Sequence, residues 1–314
     1  MAKELPIKKG GATPPRQPML VVVCGETGVG KTYRNVLEIR KYVKDGNSNG
    51  KKGRKVLIFD VNDDDYPMVK TVDPRYIGNL TSVQVRRIRP ITPDGQNMTI
   101  ADKREMVALM VNNFRNGLLV LDDIDKYMTG AKGQTVVGLL TTNRHNGLDI
   151  MISHQSIAKV TTTEWQNCTW LRLHKQVDDV ARYKNRIPNY FLVRIATFIV
   201  DEQYDLASEA VSTGLLTEDE FKRQKSFFVY VNMRKLKIRG CSKKAFIRAC
   251  WKFIHQEKGR EIKAMLNECN KDGSAVFASR YEAVLAMLSS YLRHFEVTAE
   301  SPMANLRESV KKAA

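Results

Sequence analysis

Gly25-Glu26-Thr27-Gly28-Val29-Gly30-Lys31-Thr32 satisfies G-x-x-x-x-G-K-[ST], a spacing suited to binding a chain of phosphates. Gly25, Gly28 and Gly30 let the backbone turn through conformations that a β-carbon would penalise. Successive N–H groups, with a helix N-terminus behind them, then cradle an anion. Lys31 is a point charge for the β- and γ-phosphates, and the Thr32 hydroxyl suits Mg²⁺. The binding set expected for ATP is Gly25, Glu26, Thr27, Gly28, Val29, Gly30, Lys31, Thr32 and Tyr33. The same short pattern recurs by chance on glycine-rich turns. Here an apolar run, Leu20-Val21-Val22-Val23-Cys24, precedes the loop, and Val36, Leu37, Ile39, Arg40 and Val43 continue at helical spacing after it.

A second group stands about ninety positions later. Leu118-Leu119-Val120-Leu121 is an apolar strand that ends in Asp122-Asp123. In a phosphate-loop protein, Asp122 would orient the Mg²⁺ shell and Asp123 would polarise the attacking water. An acidic strand-end turn would look the same without that loop upstream. Ile150-Met151-Ile152-Ser153-His154-Gln155-Ser156 is a further strand, ending in a polar residue that can hydrogen-bond both phosphate and water without titrating. A polar residue leaving a strand is also commonplace. Arg144, within Thr142-Asn143-Arg144-His145, reads either as a cation at a helix C-terminus or as an arginine finger for a neighbouring subunit's γ-phosphate. The catalytic candidates are therefore Lys31, Asp123, Arg144 and Gln155, with Thr32 and Asp122 as metal ligands.

These four groups together resemble the FtsK–HerA superfamily of DNA-pumping ATPases. The resemblance is strongest to its viral genome-packaging members, of the poxvirus and membrane-containing-phage types. The stretch Asp60-Val61-Asn62-Asp63-Asp64-Asp65-Tyr66 also resembles the Asp-x-x-x-Glu-Tyr run of HerA-like enzymes, with one residue inserted and Asp65 in place of Glu. The resemblance covers roughly residues 19–200. It implies a RecA-like core, a homo-oligomeric ring (pentamer or hexamer), hydrolysis between subunits, double-stranded DNA threaded through the centre, and docking at a capsid or portal vertex. The alternative is a filamentous-phage assembly ATPase of the zonula-occludens-toxin type, ranked second because such proteins usually carry a membrane span. A nucleotide-gated DNA-binding adaptor without motor activity is a further reading. A small-molecule kinase fits poorly, because it would need a substrate lid.

The elements that must position these residues alternate short apolar strands with helices, the pattern of a mostly parallel α/β sheet flanked by helices. Strands are expected at 20–24, 55–59, 83–88, 117–121, 148–153 and 169–173, and helices at 102–114, 133–144 and 177–183, with Gly117 as a C-cap after the first. A hairpin around Asn232-Met233 closes the sheet. A C-terminal helical region follows, with Ser242 capping its first helix and further helices over 261–269 and 279–295. The expected organisation is a basic N-terminal arm over 1–18, an ATPase core over 19–240, a basic helical region over 241–297 and a polar tail over 298–314.

Charge and cysteine usage narrow the class. Lys and Arg number 51 against 34 Asp and Glu, a net charge of +17 that suits a polyanionic partner, nucleic acid before membrane. Eleven basic residues and two acids fall between Arg234 and Lys263, where Trp251 and Phe253 read as core. Five cysteines without a C-x-x-C pair exclude a disulfide scaffold or zinc site and suit a reducing cytoplasm, the host's if the protein is viral, with transient presence at the virion. The N-terminus lacks the apolar run of a signal peptide. The best candidate span, 190–200, is short and interrupted by Arg194, so no stable membrane insertion is expected.

Overall fold

The computed structural model describes residues 18–45, 53–128 and 146–296 of the 314. The N-terminal arm up to residue 17, the tail, and the helix expected over 133–144 with Arg144 lie outside the described residues.

Six parallel strands and an antiparallel pair form one eight-stranded sheet in the order β3-β2-β4-β5-β1-β6-β7-β8. The parallel strands are β1 (Leu20–Cys24), β2 (Lys55–Phe59), β3 (Val85–Ile88), β4 (Gly117–Leu121), β5 (Asp149–His154) and β6 (Trp170–Leu173). β7 (Val229–Asn232) and β8 (Lys237–Arg239) form the expected hairpin, antiparallel to β6 and to each other. β5 separates β1 from β4, so the phosphate loop and the acidic pair leave strands two places apart. This is the sheet of a RecA-like P-loop NTPase core.

The central strands β1 and β4 are apolar and buried throughout because both faces are covered. Val21 and Val23 face Ile39 and Tyr42 of α1 (Lys31–Asp45). Leu20, Val22 and Cys24 face the larger core, which holds α2 (Ile100–Asn113), α4 (Tyr190–Ser212) and α6 (Lys243–Glu257). Between these helices lie two shorter ones, α3 (Thr162–Asn167) and α5 (Glu218–Gln224). Below the loop end, Asp149 accepts from Met19 N at 2.9 Å and from Tyr42 Oη at 2.6 Å, pinning the starts of β1 and β5 to α1.

Several expectations shift. Helix α2 ends at Phe114, not at a glycine cap. Asn116 takes the left-handed turn (φ 54°), and Gly117 opens β4 instead. A β-carbon on Gly117 would lie 2.6 Å from the Phe114 ring and 2.7 Å from the Lys55 carbonyl, so close packing explains that glycine. The helix expected over 177–183 is a single 3₁₀ turn, Val180–Tyr183, with Asp179 as its cap. The longest helix, α4, has 23 residues and falls where the sequence suggested only a rejected membrane span. Its apolar half is buried within the protein, against the sheet and α6. No helix among the described residues is long and apolar enough to cross a membrane.

Ser242 caps α6 by accepting from Ala245 N, as expected. Phe246 and Phe253 of α6 join the main core, and Trp251 packs partly buried against α7 (Gly259–Leu266) and α8 (Arg280–Leu292). Phe246 is fully buried, so Phe246→Ala is expected to cost about 3–5 kcal/mol. Leu285→Ala, on an exposed part of α8, should stay within about 0.5 kcal/mol. Urea denaturation followed by circular dichroism checks both.

Candidate active site

The C-terminal ends of β1, β4, β5 and β6 converge at one edge of the sheet, the place where open α/β sheets bind ligands. Backbone bonds hold the phosphate loop to its neighbours there. Gly25 N donates to the His154 carbonyl (3.3 Å) and Glu26 N to the Lys175 carbonyl (2.9 Å). Gly28 and Gly30 have φ of 78° and 84°, the left-handed region that glycine reaches without strain. A β-carbon on Gly30 would meet Ser226 Cβ at 2.7 Å, so the segment before β7 closes against the loop.

Lys31 opens α1 and curls back over the loop. Its Nζ donates to the carbonyls of Gly25 (2.7 Å) and Glu26 (2.9 Å). Burial pushes its amine below the usual lysine range, and Asp123 and Asp122 oppose that shift. An anion seated in the loop would act in the same sense as those carboxylates.

Asp122 is 2% exposed, and a single oxygen of it collects three side chains. Tyr66 Oη donates to Asp122 Oδ2 at 2.6 Å, Asn35 Nδ2 at 3.1 Å and Thr32 Oγ1 at 3.3 Å. The loop and the acidic strand are therefore in direct contact. Thr32 and Asp122 are a hydroxyl and a carboxylate side by side, a pair that could hold Mg²⁺. Asp123 takes the left-handed conformation (φ 44°), uncommon for a residue with a β-carbon, and its carboxylate reaches Lys126 Nζ (3.1 Å) and Asn62 Nδ2 (3.4 Å). Gln155 follows β5 directly and lies beside the start of the loop, because Cys24 pairs with His154. Tyr33, next to Thr32, is half exposed.

Tyr66 falls in the stretch framed by the resemblance over residues 60–66, but the sequence did not single out Asn35 or Arg172, which help to fix this arrangement. Asn35 is fully buried, and besides Asp122 it reaches Tyr66 Oη and Ser153 Oγ. Its Oδ1 accepts from Arg172 Nη2, a wholly buried guanidinium that also faces the Phe228 ring. His174 is buried under the loop, and neither of its ring nitrogens has a hydrogen-bond partner among the described residues. Burial, with Arg172, Lys31 and Arg34 nearby, keeps it neutral, well below the usual histidine range. Two signals could have pointed here: a polar residue one helical turn after Lys31 on the face that carries Ile39 and Tyr42, and an arginine inside the apolar strand Trp170-Leu171-Arg172-Leu173.

A second buried network joins the ends of β4 and β5. Asp125 Oδ1 lies 2.9 Å from His154 Nδ1, and Asp125 Oδ2 accepts from Gln155 N at 3.0 Å. Glu164 Oε1 is 3.3 Å from His154 Nε2, within ion-pair range. Burial alone would lower the His154 pKa, but the two carboxylates outweigh it and hold the imidazole above its ordinary value.

The fold and this loop define a P-loop NTPase of the α/β class. A family model described as zonular occludens toxin (Zot) matches residues 19–180, just over half of the 314 residues, and the chain belongs to that family. No curated protein matches it by sequence. Among solved structures, it is similar to the genome packaging NTPase B204 from Sulfolobus turreted icosahedral virus 2 in complex with AMPPCP. That match has 17% identity over 71% of this chain and 96% of the other, with a TM-score of 0.43. B204 from Sulfolobus turreted icosahedral virus, described as a DNA-packaging ATPase, gives 17% identity over 71% and 97%, with a TM-score of 0.40. The N-terminal domain of zonular occludens toxin from Neisseria meningitidis gives 15% over 54% and 91%, with a TM-score of 0.32. The resemblance to viral packaging P-loop ATPases and the alternative ranked second on the sequence both appear among these findings.

The raised His154 pKa sets a sign for stability against pH. Its contribution is complete below the unfolded histidine value of about 6.5 and is lost as pH rises through the folded value. Melting temperatures measured from about pH 6 to 9 should therefore show the gap between the parent chain and His154→Gln narrowing as pH rises. A constant gap would argue against a charged imidazole. Tyr66→Phe deletes the shortest bond to Asp122 and leaves its buried charge less satisfied, at an expected cost of about 1–3 kcal/mol by chemical denaturation.

Proposed function

We propose that the chain is an ATPase that drives DNA during virus assembly, using Mg²⁺ at the β1–β4 edge of the sheet. The contact of Thr32 with Asp122 carries the ATPase part of this reading, because it joins the phosphate loop to the acidic strand, and the DNA part rests on family membership and positive charge. ATP would lie along Gly25, Glu26, Thr27, Gly28, Val29, Gly30, Lys31 and Thr32, with Tyr33 beside it. Thr32 and Asp122 would hold Mg²⁺, which when bound neutralises phosphate oxygens.

Each side chain then has a defined task. Lys31 exchanges its loop carbonyls for phosphate oxygens. Asp123 accepts a proton from, or orients, the attacking water, and its bonds to Lys126 and Asn62 set where its carboxylate points. Gln155 faces the terminal phosphate from the end of β5. Arg144 completes the site of a neighbouring subunit in a ring. Tyr66 and Asn35 hold the Asp122 carboxylate in place.

Membership of the Zot family moves the filamentous-phage assembly reading alongside double-stranded DNA packaging. Both need a motor that moves DNA, and they differ in the strand moved and in the docking site. Positive charge supports a nucleic-acid partner: Arg234, Lys235, Lys243, Arg260 and Lys263 are all exposed.

Lys31→Ala is expected to reduce ATP turnover by about two orders of magnitude or more, read by phosphate release. Turnover equal to the parent would remove the site. Turnover of the parent should rise with added DNA, and comparing duplex with single-stranded DNA separates the two assembly readings. Arg144→Ala chains mixed with Lys31→Ala chains should recover activity only if Arg144 acts across subunits.

A further inference from the structure

The loop after Asp122-Asp123 carries another buried acid, Asp125, whose hydrogen bonds among the described residues include two to the end of β5 and the residue after it. The β4–β5 ladder stops at Leu121 and Ile152. Beyond that pair, Ser153, His154 and Gln155 have no strand partner on the β4 side. The single 3₁₀ turn Ile124–Lys126 crosses this gap and brings Asp125 against β5.

From this geometry we infer that Asp125 is a positioning residue that fastens Gln155 to the acidic loop, with His154 and Glu164 bracing the far side. The two oxygens of one rigid carboxylate take different partners, the ring of His154 (2.9 Å) and the backbone N–H of Gln155 (3.0 Å). Two bonds to consecutive residues fix both the position and the orientation of the strand end. His154 meets Glu164 at 3.3 Å on its other side. Glu164 is anchored in turn, because its Oε2 accepts from Thr161 N (2.6 Å) and Thr161 Oγ1 (2.8 Å) in the capping box of α3. Lys159 Nζ stands 3.9 Å from Asp125 Oδ2 at the exposed margin. Asp125 is 7% exposed, and His154 and Glu164 are fully buried.

Stability alone is a weak reason for burying two acids and a histidine, since well-packed apolar residues often serve as well. What apolar packing cannot supply is direction. A carboxylate with both oxygens occupied holds a backbone N–H at one point, as needed if Gln155 must register the terminal phosphate. The inference rests on the reading of Gln155 given above. In that reading, a shift of the acidic loop on loss of the phosphate moves Gln155 with it, and α3 follows through Glu164.

The test uses the full chain carrying Asp125→Ala, with Asp125→Asn as the second variant should the first fail to fold. Asn retains one acceptor oxygen where two are used. Without nucleotide, amide exchange around Gln155 should quicken by about tenfold or more while β2 and β3, which make no bond to this loop among the described residues, are unchanged. Unchanged exchange at Gln155 overturns the clamp. With ATP, kcat should fall by about tenfold or more while KM stays within about threefold, and Gln155→Ala should add less than about twofold in the Asp125→Ala background. A Gln155→Ala effect of equal size in both backgrounds also overturns it. A parent chain that never turns over ATP would sink the ATPase reading, and the exchange experiment would still decide the clamp.

Discussion

A carboxylate taken out of water must find donors, and Asp122 finds three on one oxygen. Thr32 and Asn35 come from α1, and Tyr66 from the turn after β2. That convergence sets the spacing between the phosphate loop and the acidic strand without any help from a nucleotide. It also explains why Tyr66 is fully buried although Asp63, Asp64 and Asp65 precede it. Asp60 accepts from the Tyr66 N–H at 3.2 Å and pairs with Arg87 on β3, so the turn that delivers the tyrosine is itself held on the sheet. Removing any member leaves a buried polar group short of a partner, which costs more than the bond alone.

Polar side chains carry this order sideways along the loop end of the sheet. Asn35 links Asp122 to Arg172 on β6 and to Ser153 on β5, while Asp125 and Glu164 enclose His154 on the same strand. The body of the sheet is held by apolar packing on both faces, which tolerates small displacements. The loop end is held by directional bonds, which do not. Such a division suits an edge where charge must be placed accurately on a rigid support.

What could be read from the sequence follows from the range of the interactions. The glycine turn, Lys31 and Thr32 are consecutive, and the acidic pair ends a run that any apolar scan finds. The convergence on Asp122 joins positions 32, 35, 66 and 122, and no local pattern reports it. Tyr66 was partly legible through the resemblance that framed residues 60–66. Asn35 is one polar residue among several on a helix, and propensity alone says nothing about which face meets the sheet. Helix α4 was missed for a related reason: its first half, Phe191-Leu192-Val193-Arg194-Ile195-Ala196, is apolar enough to suggest a short membrane segment. Burial on the sheet and on α6 demands the same composition.

The basic stretch between Arg234 and Lys263 shows why charge counted along a chain overstates charge offered to a partner. Arg248 pairs with Glu202 at 2.7 Å and Lys258 with Glu261 at 2.6 Å. Arg239 lies over the Trp170 ring and Lys252 over Phe198, which covers apolar surface with their stems. From the opposite side, Arg194 and Tyr190 of α4 both bond Glu257 of α6. The contacts of Arg248 with Glu202, Lys252 with Phe198, and Glu257 with Arg194 and Tyr190 join α4 to α6, whose shared centre is apolar. Lys243 stands in the first turn of α6, the end of a helix where a cation is electrostatically disfavoured. That lysine is exposed, and no acid stands in the helix's first turn to offset it, so its charge is left to solvent and not to its own helix.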